Sequence, residues 1–342
     1  MYDGTVGSAA VTWSPDPLDD DLVRTLRRAA VQARLAPSVH NTQPWLFSVG
    51  HDALRVKADW YRQLRVLDPL GRQLLLSVGC AVFNARVAIA AAGLADVVDR
   101  TCDGEMPDVA AVVHADAVHP PDEALARLDG AVARRHTNRR RFAPEPVDAD
   151  VVDRLVAAAA EEGAQLVPVV REDDRLAVAR LSQLADRLEN EDPAYRAEMR
   201  RWTTDDLLRP DGVPAFAVPG TDAPSRDDVP IRDFDVRGAG ALPALTESSM
   251  QQTMLLLCTR ADTPAAWERA GEALERVWLE LTEAGYVASP LTQVVENAMT
   301  REQLRSELRL SVRPHVLLRV GRAVPTPATR RRRLSDVLMH DA

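Results

Sequence analysis

Two long apolar helical stretches, Gly79 through Ala92-Gly93 and Gly271 through Ala284-Gly285, carry glycines at identical separation, and this repetition limits the possible folds more than any other feature of the chain. A second match precedes it in the same order: Val23-x-x-Leu26-x-x-Ala29-Ala30 is echoed by Val152-x-x-Leu155-x-x-Ala158-Ala159, both at helical spacing. Each of these shorter helices leads into an apolar strand, Trp45–Val49 in one copy and Gln165–Val170 in the other. Pro168 predicts an edge position or a bulge for the second strand, because proline cannot donate to a ladder. Further strands are predicted at Val109–Val113, Met254–Cys258 and His315–Val320. The pattern predicts an α+β chain of two tandem halves, residues 1–130 and 131–342, each a small sheet flanked by helices.

Local signals sharpen the later copy. Thr263 can cap its helix, Pro264 fits the first helical position, and Gly285 stops it, with Trp267, Leu274, Trp278 and Leu281 on one face. The earlier copy is predicted to start similarly at Asp68-Pro69. Residues 190–245 break the pattern with many Pro, Asp, Gly and Arg residues, and read as a candidate lid or a surface insertion.

With 342 residues, 46% of them hydrophobic, the chain can bury a substantial core. Its net charge of −9 argues against a dedicated nucleic-acid binder. The cysteines, Cys80, Cys102 and Cys258, show neither disulfide nor zinc spacing, which predicts a reducing, cytoplasmic setting. No window is read as a signal peptide or as the ~18 to 20 apolar residues of a membrane span. His114 and His119 suit a loop beside Pro120-Pro121, and no metal site is expected.

Two clusters concentrate chemistry. Pro37-Ser38-Val39-His40-Asn41-Thr42-Gln43-Pro44-Trp45 crowds hydrogen-bonding side chains into a turn after the first helix, with Trp45 read as strand core. Arg134-Arg135-His136-Thr137-Asn138-Arg139-Arg140-Arg141 lies just before the second copy of that helix; such a run is either a solvated basic face or a phosphate binder using bidentate guanidinium contacts. Neither a Walker loop nor a dinucleotide fingerprint is present, Gly238-Ala239-Gly240 lacking the spacing.

The first cluster resembles the Pro-Ser-x-x-Asn-x-Gln-Pro-Trp turn of the nitroreductase-like flavoprotein superfamily, and Arg135-x-Thr137-x-Arg139 resembles that family's Arg-x-Ser-x-Arg segment with threonine in place of serine. Family subunits carry both segments and bind FMN between two chains. Here the first half has the turn without the arginine segment, and the second has the arginine segment without the turn. The split resembles the fused, actinobacterial Acg-like branch, and implies a nitroreductase-like fold in which one chain imitates the homodimer and holds one FMN.

The resemblance implies that Arg135 and Arg139, with His136 and Thr137 between them, meet the phosphate, ribityl chain or pyrimidine edge of FMN. It implies that Pro37, Ser38, Asn41 and Gln43 face the flavin from the other half, with His40 a capping or supporting residue. Pro290 marks the loop expected near flavin N5, and Arg330 or Arg331 of the closing basic stretch is expected on the phosphate. The implied activity is NAD(P)H oxidoreduction by ping-pong hydride transfer through flavin N5, with NADPH or NADH a transient donor and an electron-poor small molecule, a nitroaromatic or quinone, the acceptor. The rival expectation is a protein that sequesters FMN under the 190–245 lid with little turnover. The expected partners are small molecules, with no nucleic acid and no membrane. The expected unit is a pseudo-dimeric monomer, alone or further self-associated.

Overall fold

The computed structural model describes residues 17–101, 109–204, 206, 208–218, 227–232, 234 and 247–339. Cys102, Pro219-Gly220, Gly238-Ala239-Gly240 and parts of the candidate lid lie outside them. In the first half, α1 (Pro17–Ala33) precedes β1 (Trp45–Val49), β2 (Ala53–Ala58), α2 (Arg72–Ala91), β3 (Ala95–Arg100) and β4 (Val109–Asp116). Two short helices, α3 (Glu123–Ala126) and α4 (Asp129–Val132), lead to α5 (Ala149–Glu161), β5 (Gln165–Pro168), α6 (Glu172–Glu191) and α7 (Pro193–Trp202). After the paired β6 (Thr203–Thr204) and β7 (Val213–Pro214) come β8 (Thr253–Thr259), α8 (Pro264–Glu283) and β9 (Val287–Pro290). The chain closes with α9 (Gln293–Glu296), α10 (Ala298–Glu307), β10 (Arg313–Gly321) and α11 (Leu334–Val337).

Two four-stranded antiparallel sheets result, ordered β1-β2-β4-β3 and β5-β8-β10-β9. Matching strands by their place around the long helices gives both sheets the same order. β5 takes an edge, where Pro168 pairs with Leu255 without having to donate on its free side.

The long helices α2 and α8 meet at Gly79 and Gly271. A Cβ built on Gly79 would lie 2.0 Å from the Glu268 carbonyl oxygen, and one on Gly271 would lie 2.0 Å from the Leu76 carbonyl oxygen. Only glycine allows the two backbones to approach this closely. Around the contact, Leu74, Val78, Ala81, Ala270, Leu274 and Trp278 join one core shared by both halves. As the sequence predicts, Thr263 caps α8 by accepting from Ala266 N–H (3.3 Å), with Pro264 in the first turn.

A buried ion network ties the same helices to their sheets. Arg86 of α2 pairs with Asp96 (2.8 Å), Glu162 (2.6 Å) and Glu272 of α8 (2.7 Å), while Arg100 pairs with Glu272 (2.7 Å). Every charge in this network is answered, the condition under which buried ions are tolerated.

Several expectations need correction. The earlier long helix starts at Arg72, not at Asp68-Pro69, because Asp68 to Gly71 form a turn that ends in the left-handed region at Gly71 (φ 75°). Asp68 still serves the helix, its Oδ2 accepting from Leu74 N–H at 2.9 Å. Helix Arg72–Ala91 does reach the length and apolarity of a membrane span, but 89% of that window is buried inside the protein, as a core helix requires. Residues 190–202 are helical apart from the cap at Asp192 rather than irregular, and 287–290 form a strand rather than a loop. Both depend on tertiary partners, α7 on an apolar cluster with Leu64 and Leu67, and β9 on β10.

The helix crossing predicts a steep cost for one methyl group. Gly79→Ala should destabilise the protein by roughly 3 kcal/mol or more, because the obstructing atom is backbone and cannot rotate away. Gly130→Ala, with nothing within 4 Å of its Cβ, should be nearly neutral. Urea midpoints of the two variants against the parent measure the difference; equal midpoints would refute the close-contact argument.

Candidate active site

The turn after α1 has an unusual backbone. His40, Asn41 and Gln43 have φ of 48°, 54° and 50°, in the left-handed region that side chains other than glycine's adopt at a cost of roughly 1–3 kcal/mol each. Hydrogen bonds hold it there: Gln43 N–H donates to Ser38 Oγ (2.9 Å) and Val39 N–H to Ser77 Oγ of α2 (3.3 Å). The Asn41 amide donates to the carbonyls of Gly212 (3.0 Å) and Arg330 (3.1 Å). Gln43 Nε2 donates to Pro210 O (2.8 Å), and Gln43 Oε1 accepts from Arg332 N–H (2.7 Å). The turn is therefore the knot at which the 209–218 strap and the C-terminal segment are tied to the first half.

The arginine segment enters from the second half. Thr137 bridges to Ala288 of β9, and Asn138 N–H donates to Ala288 O (3.0 Å), so the sheet fixes its register. Arg135, 3% exposed, stands 5.0 Å above the Trp278 ring and donates to Leu35 O (3.1 Å). Its Nε is 3.2 Å from Glu275 Oε1, an ion pair at an angle too poor for a hydrogen bond. Arg139 lies 4.8 Å over the Phe234 ring and, among the described residues, donates to the Ala217 carbonyl (3.4 Å). Arg134 and Arg141 of the same run are exposed and pair with Glu283 and Glu247, the solvated face.

These segments enclose a cleft with two adjoining compartments. The outer, of about 540 Å³, is lined by Asn41, Arg135, His136, Thr326, Thr329 and Arg331. The inner, of about 730 Å³, is walled by Gln73, Ser77, Leu274, Trp278, Phe234 and Pro290. Pro37, Ser38, His40, Thr137 and Arg139 face both.

The outer compartment is electropositive. Arg331 donates to Thr329 Oγ1 (2.7 Å) and Leu35 O (3.3 Å), and among the described residues no carboxylate lies within ion-pair distance of it or of Arg139. Burial, with Arg135 next to it, pushes Arg331 down to about 9, and burial with Arg232 pushes Arg139 down to about 10. Two histidines register the same field. Burial, then Arg135 and Arg331, pushes His136 down to about 4, and burial, then Arg232 and Arg139, holds His40 well below its ordinary value. Both ring nitrogens of His40 are buried without a hydrogen-bond partner, as is Gln73 Nε2.

Ten of the twelve predicted residues line one compartment or the other; Gln43 and Arg330 do not. Gln43 spends its amide on the strap and the C-terminal backbone, and Arg330 is exposed beside Asp206 and Arg209. Arg331 is the arginine that turns inward. Trp45 is fully buried in the core. Gln73, Ser77, Arg232 and Phe234 escaped the sequence reading. The first two are polar breaks four residues apart on an apolar helix, a visible signal; Arg232 and Phe234 lie in a segment with no periodicity.

Residues 132–322 match the family model described as "Nitroreductase family". A Mycobacterium tuberculosis protein provisionally named NAD(P)H nitroreductase Rv3131 is 34% identical over 343 residues, covering 98% of this chain and 95% of its own. A second from that organism, provisionally named NAD(P)H nitroreductase acg, is 31% identical over 329 residues, covering 94% and 97%. An Anabaena variabilis crystal structure, provisionally described as a nitroreductase, superposes with a TM-score of 0.53 at 10% identity, covering 94% of this chain and 93% of that one.

The histidine shifts fix a sign for pH dependence. An unfolded histidine titrates near 6.5 and folded His136 near 4, so its contribution is complete above about pH 6.5 and lost as pH falls towards about 4. His40 acts in the same direction. His136→Gln should flatten the fall in melting temperature across that window; an unchanged slope would mean that His136 is not held neutral by burial and the neighbouring arginines.

Proposed function

Because the chain belongs to the nitroreductase family, we propose that it is an FMN-dependent NAD(P)H oxidoreductase whose flavin occupies the cleft between the two halves. The observation that carries this reading is the pair Arg139 and Arg331, guanidiniums facing one cavity with no carboxylate among the described residues within ion-pair distance. Buried cations need anions, and a phosphate dianion beside Arg135 and Arg331 would supply one through charge-assisted hydrogen bonds. FMN would supply the redox chemistry when bound, taking hydride from NADPH or NADH at N5 and passing it, ping-pong, to an electron-poor acceptor such as a nitroaromatic or quinone.

The residues of the chain bind and orient. Trp278, Leu274 and Pro290 provide an apolar wall suited to a flat ring system. His40 and Gln73 border the inner compartment with buried nitrogens that lack a hydrogen-bond partner, and neutral His40 can either donate or accept. Arg139 reaches both compartments, so its charge would stabilise negative charge growing on a reduced ring. Val213 and Ala217 on the outer compartment and Phe234 on the inner would form a partial cover over a bound ligand.

That cover favours a second reading, in which the protein sequesters FMN with little turnover. Anaerobic absorbance during addition of NADPH and then NADH separates the two. Prompt bleaching supports the reductase and identifies the donor; flavin that yields only to dithionite supports sequestration.

The site itself is tested by substitution. Arg135→Ala with Arg139→Ala removes two charged contacts worth about 1.5–3 kcal/mol each, so flavin affinity should fall at least about 100-fold and the protein should purify colourless. Full flavin occupancy in that variant would refute the assignment.

A further inference from the structure

Glu275 lies behind the outer compartment, not in it. It sits on α8 one turn before Trp278, is fully buried, and faces Arg135, whose Nε is 3.2 Å from Oε1. Two guanidiniums meet at this point, because Arg135 and Arg331 both donate to the Leu35 carbonyl, at 3.1 and 3.3 Å. Both arginines line the outer compartment and Glu275 does not, so its charge acts on a ligand there through them.

The Glu275 carboxylate is weakly held. Among the described residues neither of its oxygens accepts a hydrogen bond of good geometry, whereas Glu272, one turn earlier, receives Arg86 and Arg100, each at 2.7 Å. The groups facing Glu275 are Arg135 from the arginine segment, Arg331 from the C-terminal segment, and Asn84 and Cys80 of α2. Burial, opposed by Arg135, Asn84 and Arg331, pushes its carboxyl up to about 7. Burial raises the Cys80 thiol well above its ordinary value, and His136 beside the same arginines is pushed down to about 4, so neither changes charge near neutral pH and Glu275 does. A neutral carboxyl carries one O–H, and the neighbouring Asn84 Oδ1, buried without a partner, is an acceptor for it.

We propose that Glu275 is a positioning residue for the phosphate of the cofactor: ionised, it holds the charge of Arg135 against α8, and when a phosphate dianion enters the outer compartment it takes up one proton from solvent and leaves Arg135 to the ligand. This rests on the flavin reading of the cleft. The physical reason is that a dianion beside Arg135 and Arg331 cancels the field that keeps Glu275 ionised and repels its negative charge. The complex then binds more protons than the free protein, so affinity is complete below about pH 7 and falls as the pH rises above it.

The test is the FMN affinity of the full chain, freed of flavin and titrated by fluorescence from about pH 6.5 to about pH 9, where the parent should weaken about tenfold. Glu275→Gln is a fixed stand-in for the protonated carboxyl, and should hold the low-pH affinity across the range. A second measurement needs no variant. Calorimetry of the parent near pH 7.5, in buffers of different ionisation enthalpy, should show uptake of about half a proton or more per FMN bound. Riboflavin, which lacks the phosphate, should show no uptake. Equal pH slopes in parent and variant, no proton uptake by the parent, or uptake as large with riboflavin would overturn the proposal while leaving the flavin site in place. So would a Glu275→Gln affinity reduced equally at every pH, the mark of a merely structural residue. No FMN binding by either protein at any pH would overturn the flavin reading itself, and the proposal with it.

Discussion

The contact between Gly79 and Gly271 is the constraint on which the rest of the structure depends. It brings the axes of α2 and α8 to a separation that any Cβ would prevent, and the consequences reach the cleft directly. Leu76, Ser77 and Cys80 flank Gly79 and line the inner compartment, and Leu274 and Trp278 follow Gly271 on the opposite wall. The width of the inner compartment is thus set by a packing contact between the halves. Cys80 marks the closeness of the crossing, with Sγ 3.1 Å from the Gly271 carbonyl.

Arginine is used in two opposite ways. Arg86, Arg100 and Arg276 are buried in a network where Glu162, Glu272 and Asp96 answer each charge, and they lock the two halves together. Arg139 and Arg331 are set at the junction of the same halves with no carboxylate among the described residues within ion-pair distance. Low-dielectric surroundings make an answered charge rigid and an unanswered one a demand for a ligand. His136 and His40, held neutral first by burial and then by the neighbouring arginines, lie in the same electropositive surroundings.

The halves are also interleaved along the chain. Residues beyond β10 return to the first sheet, where Leu338 bridges to Phe47 and Met339 N–H donates to Phe47 O (2.7 Å). The strap crosses in the same direction, held by Asn41, Gln43 and the Arg62–Asp211 ion pair. One strained turn therefore supports the cleft, its cover and the C-terminal segment at once. This explains why the chain tolerates three left-handed residues there: the surroundings over-determine the conformation.

Much of the architecture was legible in the sequence, because repetition and periodicity are local. The paired glycine helices, the α8 cap at Thr263 and the edge strand with Pro168 all follow from spacings within a few residues, and so did the complementary placing of the turn and the arginine segment. That most of the candidate residues would line one cleft was legible for the same reason. What only the tertiary structure decided is direction. Adjacent arginines project to different sides of the backbone, so whether Arg330 or Arg331 faces the cleft depended on where a distant segment lay. Gln43 carries the polarity of a ligand contact but was claimed by Pro210 and Arg332, far away in sequence. Phe234 and Arg232 sit in a stretch without periodicity, and only packing against His40, Arg139 and Tyr195 gives them a place. Spacing determines which side chains can share a face; long-range packing decides which of them is free to meet a ligand.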